Sequence, residues 1–219
     1  PVLNIELKSF IGTDPLPIVH GCTIGELALM INSEGWLNNN LRCRLEIITC
    51  KNYNHSIIYS PPVKPSPNLP NITAIRLYPS LCLFESTNVS IGRGTLFPFQ
   101  TIGYPDSSFG NFTFTPASII GVSNNPLHNE KLCYGDDLRN TETNKKFTLS
   151  YFICYFNKFS EKNLFWNSRR WIDLLTGDPN FYNQINLGLN EEEIRKSWQP
   201  DLEKYKATRS KYLLYPDFK

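Results

Sequence analysis

Five prolines fall between residues 61 and 70, at positions 61, 62, 65, 67 and 70, and they constrain this chain more than any other feature. Each fixes φ at about −65° and removes a backbone donor, so neither a helix interior nor a central strand can pass through them. Residues 52–71 are therefore an extended connection. They separate a short leading part from a longer trailing part, and the boundary is placed at the start of the connection, giving residues 1–52 and 53–219. With 219 residues in all, the chain can bury a core without help from disulfides or metals.

The leading part reads as strand, loop, helix, strand. Leu3-Asn4-Ile5-Glu6-Leu7 alternates apolar and polar residues. Thr23-Ile24-Gly25-Glu26 is a capping box, in which hydroxyl and carboxylate satisfy amides of a first helical turn. Ile24, Leu27, Ala28 and Ile31 then lie on one helical face, and Gly35 is a stop. Leu41, Cys43, Leu45 and Ile47 alternate with Arg42, Arg44 and Glu46, the pattern of a half-buried strand. Residues 1–50 thus form a βαβ-like unit.

In the trailing part, residues 72–85 are apolar and interrupted by Pro79. From Asn88 to Pro105 the chain is loop-like around Gly92-Arg93-Gly94-Thr95. Phe112-Thr113-Phe114-Thr115 is a short strand. Leu149, Phe152, Ile153, Phe156 and Phe159 have helical spacing. Asp178-Pro179 opens a further helix that Gly188 closes. Asn190 caps the last one, whose first turn carries three glutamates that suit its positive end. Ile194, Trp198, Leu202 and Tyr205 form its buried stripe. No internal repeat is present, and the fold class is mixed α and β.

Charge excludes one class of function. Lys and Arg number 22 against 20 Asp and Glu, so the net charge of +2 gives no bulk electrostatic reason to bind nucleic acid. No apolar run approaches the roughly 20 residues of a membrane span. The six cysteines, at 22, 43, 50, 82, 133 and 154, form no CxxC pair and lack histidines at ligand spacing apart from His20. Neither a metal nor another cofactor is expected. Most sit in apolar stretches, as free buried thiols do.

Three constellations could carry chemistry. In Pro65-Ser66-Pro67-Asn68-Leu69-Pro70, prolines hold Ser66 and Asn68 rigidly, which suits sugar hydroxyls or an amide; the alternative is a stiff linker. In Glu85-Ser86-Thr87-Asn88-Val89-Ser90-Ile91-Gly92-Arg93-Gly94-Thr95, glycines on both sides of Arg93 let backbone approach a ligand closely. Arg93 could pair bidentately with a carboxylate, and Glu85 could serve as acid or base. The alternative is a structural turn with Glu85 paired to Arg93. His20 precedes a helix N-terminus, where it either meets a ligand or only supports the turn. His55 and His128 lie in polar loops without a pattern. Trp166 and Trp171 flank Arg169-Arg170, as a sugar platform or as packed core and surface.

Taken together, these motifs resemble a known family. Pro65-Ser66-Pro67-Asn68-Leu69-Pro70, Tyr78-Pro79, Cys82-Leu83-Phe84-Glu85-Ser86-Thr87-Asn88, Gly92-Arg93-Gly94-Thr95 and Pro98-Phe99 are similar to the core signature of the NamZ-type exo-β-N-acetylmuramidases. The likeness extends upstream through residues 15–27 and downstream through Cys133–Arg139, Ile172–Gly177, Ser197-Trp198 and residues 209–215. The resemblance implies release of terminal N-acetylmuramic acid from peptidoglycan fragments. It also implies a Rossmann-like domain followed by a smaller C-terminal α/β domain with the active site between them, and a periplasmic or extracellular location. It places this chain in the C-terminal half, with residues 1–52 as the remainder of the Rossmann-like domain.

The same resemblance expects a partner, the absent N-terminal half, whose Glu-His-Gly motif carries the leading catalytic carboxylate; that motif does not occur in these 219 residues. It nominates Glu85 as a second catalytic carboxylate. His20, Ser66, Asn68, Asn88, Arg93 and Thr95 become contacts to a muropeptide or peptidoglycan sugar, with Arg93 facing the lactyl carboxylate of muramic acid. Ser86, Ile91, Leu96, Phe97 and Asp136 depart from the family pattern. The rival expectation is a non-catalytic muropeptide-binding module.

Overall fold

The structure, a computed structural model, describes residues 1–142 and 147–218. The first helix, α1 (Ile24–Ser33), begins at the expected capping box: Glu26 N donates to Thr23 Oγ1 at 3.4 Å and Thr23 N donates to Glu26 Oε2 at 2.7 Å. It ends before Gly35, which takes the left-handed φ of 74°. The buried face differs from the expected one. Glu26 and Met30 are fully buried, whereas Ile24 is 89% exposed. The reason is tertiary: the C-terminal tail and His55 pack on the Glu26 side of the helix.

The two strands expected to flank α1 do not form. Ile5–Leu7 is a 3-10 turn capped by Asn4, and the leading segment makes a single antiparallel bridge, Val2 to Pro17. Residues 41–50 adopt no regular element and are mostly exposed. A strand exists only as part of a ladder, and no described segment lies alongside to pair with this one. Asn32 alone stands in for a neighbour, accepting from Cys43 N at 2.7 Å and donating to Cys43 O at 2.9 Å.

The proline-rich connection is irregular, as its composition requires; its tight turns are closed by Asn54 with Ile57 and by Ser66 with Leu69. α2 (Ile72–Leu81) follows, capped by Asn71, whose Oδ1 accepts from Ala74 N at 3.0 Å. Pro79 does not interrupt it. It occupies the last turn, where the missing N–H costs a single intrahelical bond, and the chain tightens directly into a 3-10 helix over Cys82–Ser86.

Three short strands form one antiparallel sheet in the order β1-β3-β2: β1 (Thr101–Tyr104), β2 (Phe112–Phe114) and β3 (Cys133–Asp137). Thr101 faces Asp137, and Phe114 faces Cys133. Only β2 is apparent from sequence pattern; Cys133-Tyr134-Gly135-Asp136-Asp137 has no apolar alternation and is a strand because two neighbours pair with it.

Four helices complete the described chain: α3 (Ser150–Lys158), α4 (Arg169–Thr176), α5 (Phe181–Asn186) and α6 (Glu191–Arg209). The expected cap at Asn190 holds, but the one at Asp178-Pro179 does not: α5 begins only at Phe181, behind Asn180, so Pro179 lies outside the helix. Asp178 Oδ1 accepts from Asn180 N at 2.9 Å just ahead of α5, and its Oδ2 accepts from Trp198 Nε1 of α6 at 2.9 Å. Asn190 and Glu193 form a second capping box at α6. The core between the sheet and these helices is aromatic: Phe84, Phe152, Tyr155, Phe165 and Phe181 are all nearly inaccessible. Phe152 meets Phe84 and Phe165 at 5.1 Å between centroids, the offset and edge geometries that ring quadrupoles favour. All six cysteines are free; Cys133 is fully buried, Cys22 and Cys82 are partly buried, and Cys43, Cys50 and Cys154 are exposed, the last because it lies on the outer face of α3.

Candidate functional site

The 3-10 helix after α2 is held by its own hydroxyls: Ser86 Oγ donates to Leu83 O at 2.7 Å and Thr87 Oγ1 to Phe84 O at 2.8 Å. This turn presents Glu85 to the following loop. There Arg93 Nη2 donates to Glu85 Oε1 at 2.5 Å, with the two side chains 37% and 26% exposed for Arg93 and Glu85 respectively. The Arg93 guanidinium also lies over the Phe99 ring, 5.0 Å from its centroid. Tyr78 packs its edge against the same ring at 5.0 Å.

Four signature residues separated in sequence, Tyr78, Glu85, Arg93 and Phe99, thus form one cluster. The Tyr78 phenol is pushed up by burial first, then by the negative groups at Cys82 and Glu85, with Arg93 opposing. Phe99 holds φ at 57°, in the left-handed region that a bulky residue occupies only at a cost of about 1–2 kcal/mol. The same residue carries the ring on which the guanidinium rests.

The glycines flanking Arg93 serve the chain itself. A Cβ on Gly94, at φ 81°, would lie 2.6 Å from Ala117 O and 2.7 Å from Pro126; one on Gly92 would lie 2.6 Å from Thr101. The close approach is therefore made to the protein itself, to Ala117 O and to the side chains of Pro126 and Thr101. Thr95 is likewise engaged in the turn, donating to Gly92 O at 2.7 Å and accepting from Phe97 N at 3.1 Å.

The remaining candidates divide. Asn88 clamps the segment before α4: its Nδ2 donates to Leu164 O at 2.9 Å, and its backbone N to Phe165 O at 2.9 Å. Asn88 O in turn meets His128 Nε2 at 2.6 Å, so His128 is not without a task. Asn68 Nδ2 donates to Val122 O at 3.1 Å, while its buried Oδ1 has no partner among the described residues; Ser66 Oγ accepts from Asn68 N at 3.2 Å. Residues 117–126 therefore touch both the Asn68 turn and the Arg93 loop.

His20 belongs to a different cluster. Its Nδ1 accepts from Cys22 N at 3.1 Å, Tyr205 donates to its carbonyl at 2.6 Å, and Arg209 Nε donates to Gly21 O at 3.0 Å. Burial and then the Arg209 charge lower its pKa. No described contact joins it to Glu85 or Arg93.

Two features escaped sequence reasoning. Tyr78 and Phe99 stand in the motifs but carry no chemical label there; convergence on Arg93 is visible only in three dimensions. His55, in what reads as a polar loop, is buried against Glu26, its Nε2 3.0 Å from Glu26 Oε1. Leu214 N donates to the same oxygen at 2.8 Å. A cavity of about 470 Å³ lined by Trp36, Asp178, Trp198 and Tyr205 contains none of the candidate residues. Among the described residues, no group of three or more His, Cys, Asp or Glu is arranged to hold a metal ion.

What the cluster offers is a guanidinium gripped along one edge by a carboxylate and supported on one face by a ring. Arg carries five N–H donors, and the described hydrogen bond uses one. The group can therefore take an anionic ligand without giving up its anchor. Glu85, engaged through Oε1, serves in this arrangement as that anchor.

Solved structures share this architecture. A DUF1343 family protein from Bacteroides fragilis NCTC 9343 superposes with a TM-score of 0.93 and 44% identity, over all of this chain and 62% of that one. A second from the same organism gives a TM-score of 0.72 at 19% identity, over 98% of this chain and 61% of that one, which supports the fold alone. The mixed α/β scaffold and its motif cluster thus define a DUF1343-type protein.

Within that class, residues 1–73 match the family model described as exo-beta-N-acetylmuramidase NamZ, N-terminal, and residues 76–215 match its C-terminal counterpart. The chain belongs to the NamZ family. The match is not confined to a C-terminal half, since both family models are represented. The peptidoglycan beta-N-acetylmuramidase NamZ of Bacillus subtilis (strain 168) is 31% identical over 98% of this chain and 55% of its own length. The chain therefore spans a little over half of that relative.

Proposed function

We propose that this chain forms the sugar-recognition wall of an exo-acting β-N-acetylmuramidase. In this proposal Arg93 pairs with the lactyl carboxylate of a terminal N-acetylmuramic acid. The Arg93 guanidinium, held between Glu85 and Phe99, is the observation that carries the reading. Asn68 Oδ1, a buried acceptor with no partner among the described residues, adds a group suited to an acetamide N–H. The leading catalytic carboxylate belongs to an N-terminal part that completes the cleft, and the action is on periplasmic or extracellular peptidoglycan fragments. A second reading, a muropeptide-binding module that does not cleave, is favoured by the Glu85–Arg93 pairing, which engages Glu85 as an anchor.

Chromophore release from a β-linked N-acetylmuramic acid glycoside tests both. The chain is assayed alone and with the N-terminal part of the Bacillus relative added as a separate polypeptide. Release only on mixing supports the enzyme; binding without release in either arm supports the module. Arg93→Gln removes a charge-assisted hydrogen bond worth about 1.5–3 kcal/mol, a loss in kcat/KM of roughly 10- to 100-fold. The loss is expected on the muramic acid glycoside and not on its N-acetylglucosamine counterpart, which lacks the lactyl group. Equal losses on both would sink the assignment.

A further inference from the structure

We infer that Tyr78 is a specificity-determining contact. Its hydroxyl donates to the same lactyl carboxylate that Arg93 holds, so that the two residues together select N-acetylmuramic acid over N-acetylglucosamine. The inference rests on the reading of Arg93 given above and adds a second donor to it.

The backbone fixes where Tyr78 stands. It lies in the last turn of α2, and its carbonyl accepts from Cys82 N as the helix gives way to the 3-10 turn. The next residue is Pro79, whose ring holds φ at about −65°. Ala74, four residues earlier, and Leu81, three residues later, are inaccessible, so the helix face that carries Tyr78 turns toward the core. Phe99 then tethers the ring from the far side of the Arg93 loop. A donor held in this way meets a ligand without first being ordered.

The hydroxyl is the part left over. Tyr155, Tyr205, Tyr212 and Tyr215 all commit their hydroxyls to partners within the protein. No described hydrogen bond reaches the Tyr78 hydroxyl, on a side chain 40% exposed. Yet Tyr78 and Arg93 stand on one ring: the tyrosine ring and the guanidinium carbon are each 5.0 Å from the centre of Phe99. The phenol feels the charges of both Glu85 and Arg93, as a member of the same cluster must.

These groups match a carboxylate. Arg93 has N–H donors beyond the one given to Glu85. A carboxylate has two oxygens and can accept from a guanidinium and a hydroxyl together. Burial and the neighbouring negative groups push the phenol up, so it keeps its proton at neutral pH and meets an anion as a donor. Arg93 alone would attract any anion. A hydroxyl at a set position beside it requires one carboxylate geometry, and it loses its partner when the lactyl group is missing. Because Tyr78 is partly open to water, which can replace that partner, the selectivity expected from it is about tenfold.

The test is an NMR titration of the chain with N-acetylmuramic acid and with N-acetylglucosamine. Tyr78→Phe keeps the ring and removes the hydroxyl. It should raise the Kd for N-acetylmuramic acid about tenfold and leave that for N-acetylglucosamine and the melting temperature unchanged. Tyr78→Leu removes the ring as well and should lower the melting temperature, which separates packing on Phe99 from contact with the sugar.

Arg93→Gln, titrated alongside, separates this inference from the reading beneath it. A loss confined to N-acetylmuramic acid in Arg93→Gln but absent in Tyr78→Phe overturns the tyrosine contact and leaves the Arg93 reading standing. The opposite pattern removes Arg93 from the carboxylate and leaves Tyr78 as its contact. Equal losses on both sugars, or no binding of N-acetylmuramic acid by the parent chain, overturn both.

Discussion

Replacing Glu26 with Ala removes one acceptor from three donors at once: Thr23 N at 2.7 Å, Leu214 N at 2.8 Å and His55 Nε2 at 3.0 Å. The loss of half a capping box costs about 1 kcal/mol. The His55 nitrogen, whose side chain is only 2% exposed, is left without its partner, at about 1–3 kcal/mol. The charge-assisted bond to the tail adds about 1 kcal/mol, because the Leu214 amide can turn to water. The total is roughly 3–5 kcal/mol. For a chain of this size each kcal/mol moves the midpoint by about 2–4 °C, so a fall of about 10 °C in Tm is expected. Thermal melts followed by circular dichroism at pH 7 measure it. Glu26→Gln, which keeps an acceptor oxygen, should lose less than half as much. If Glu26→Ala melts within about 2 °C of the parent, the tail is not fastened through this carboxylate and the reasoning fails.

Acidification should weaken the fold in two stages. Burial, the leading cause, lowers the His20 and His128 pKa values, so their contribution is complete above the ordinary imidazole range and is lost as pH falls through it. At Glu26, burial pushes the carboxyl up, but hydrogen bonds from Thr23, Leu214 and His55 outweigh it and the net direction is down; Arg209 holds Asp217 at about 2. Their contribution is present above the ordinary carboxylate range and lost below it, and Asp217→Asn should flatten that lower limb in pH-dependent melts. At Phe99, φ of 57° predicts an inversion of the usual ranking: Phe99→Gly should be more stable than Phe99→Ala by about 1 kcal/mol in urea titrations, and the opposite order would show that the left-handed backbone is not strained there. Thiol titration of the native protein should find Cys43, Cys50 and Cys154 reactive. Cys82 and Cys133, pushed up by burial to about 12, should stay silent until the chain is denatured.

Local chemistry accounts for the parts of this fold that were legible in the sequence. Thr23 with Glu26, and Asn190 with Glu193, cap helices through contacts three residues apart, so no distant partner is needed to read them. The helical spacing of Leu149 through Phe159 and the prolines of residues 61–70 are local in the same sense. The expected strand at 41–47 failed for the complementary reason. Its pattern is real, but a ladder needs a second segment, and among the described residues there is none. β3 errs in the other direction: Cys133–Asp137 has no strand pattern and forms one because β1 and β2 bracket it.

The candidate site follows the same division. The order of residues sets which groups are available: an arginine between two glycines, a carboxylate eight residues before it, and turns fixed by proline. What those groups do for one another follows from long-range packing. It closed Glu85 onto Arg93, placed Phe99 beneath the guanidinium with Tyr78 packed against that ring, and brought the glycines against Ala117, Pro126 and Thr101. It also carried His20 away to α6 and buried His55 against Glu26. Short-range hydrogen bonding is written in neighbouring residues, whereas burial and charge pairing depend on segments that meet only when the chain has folded.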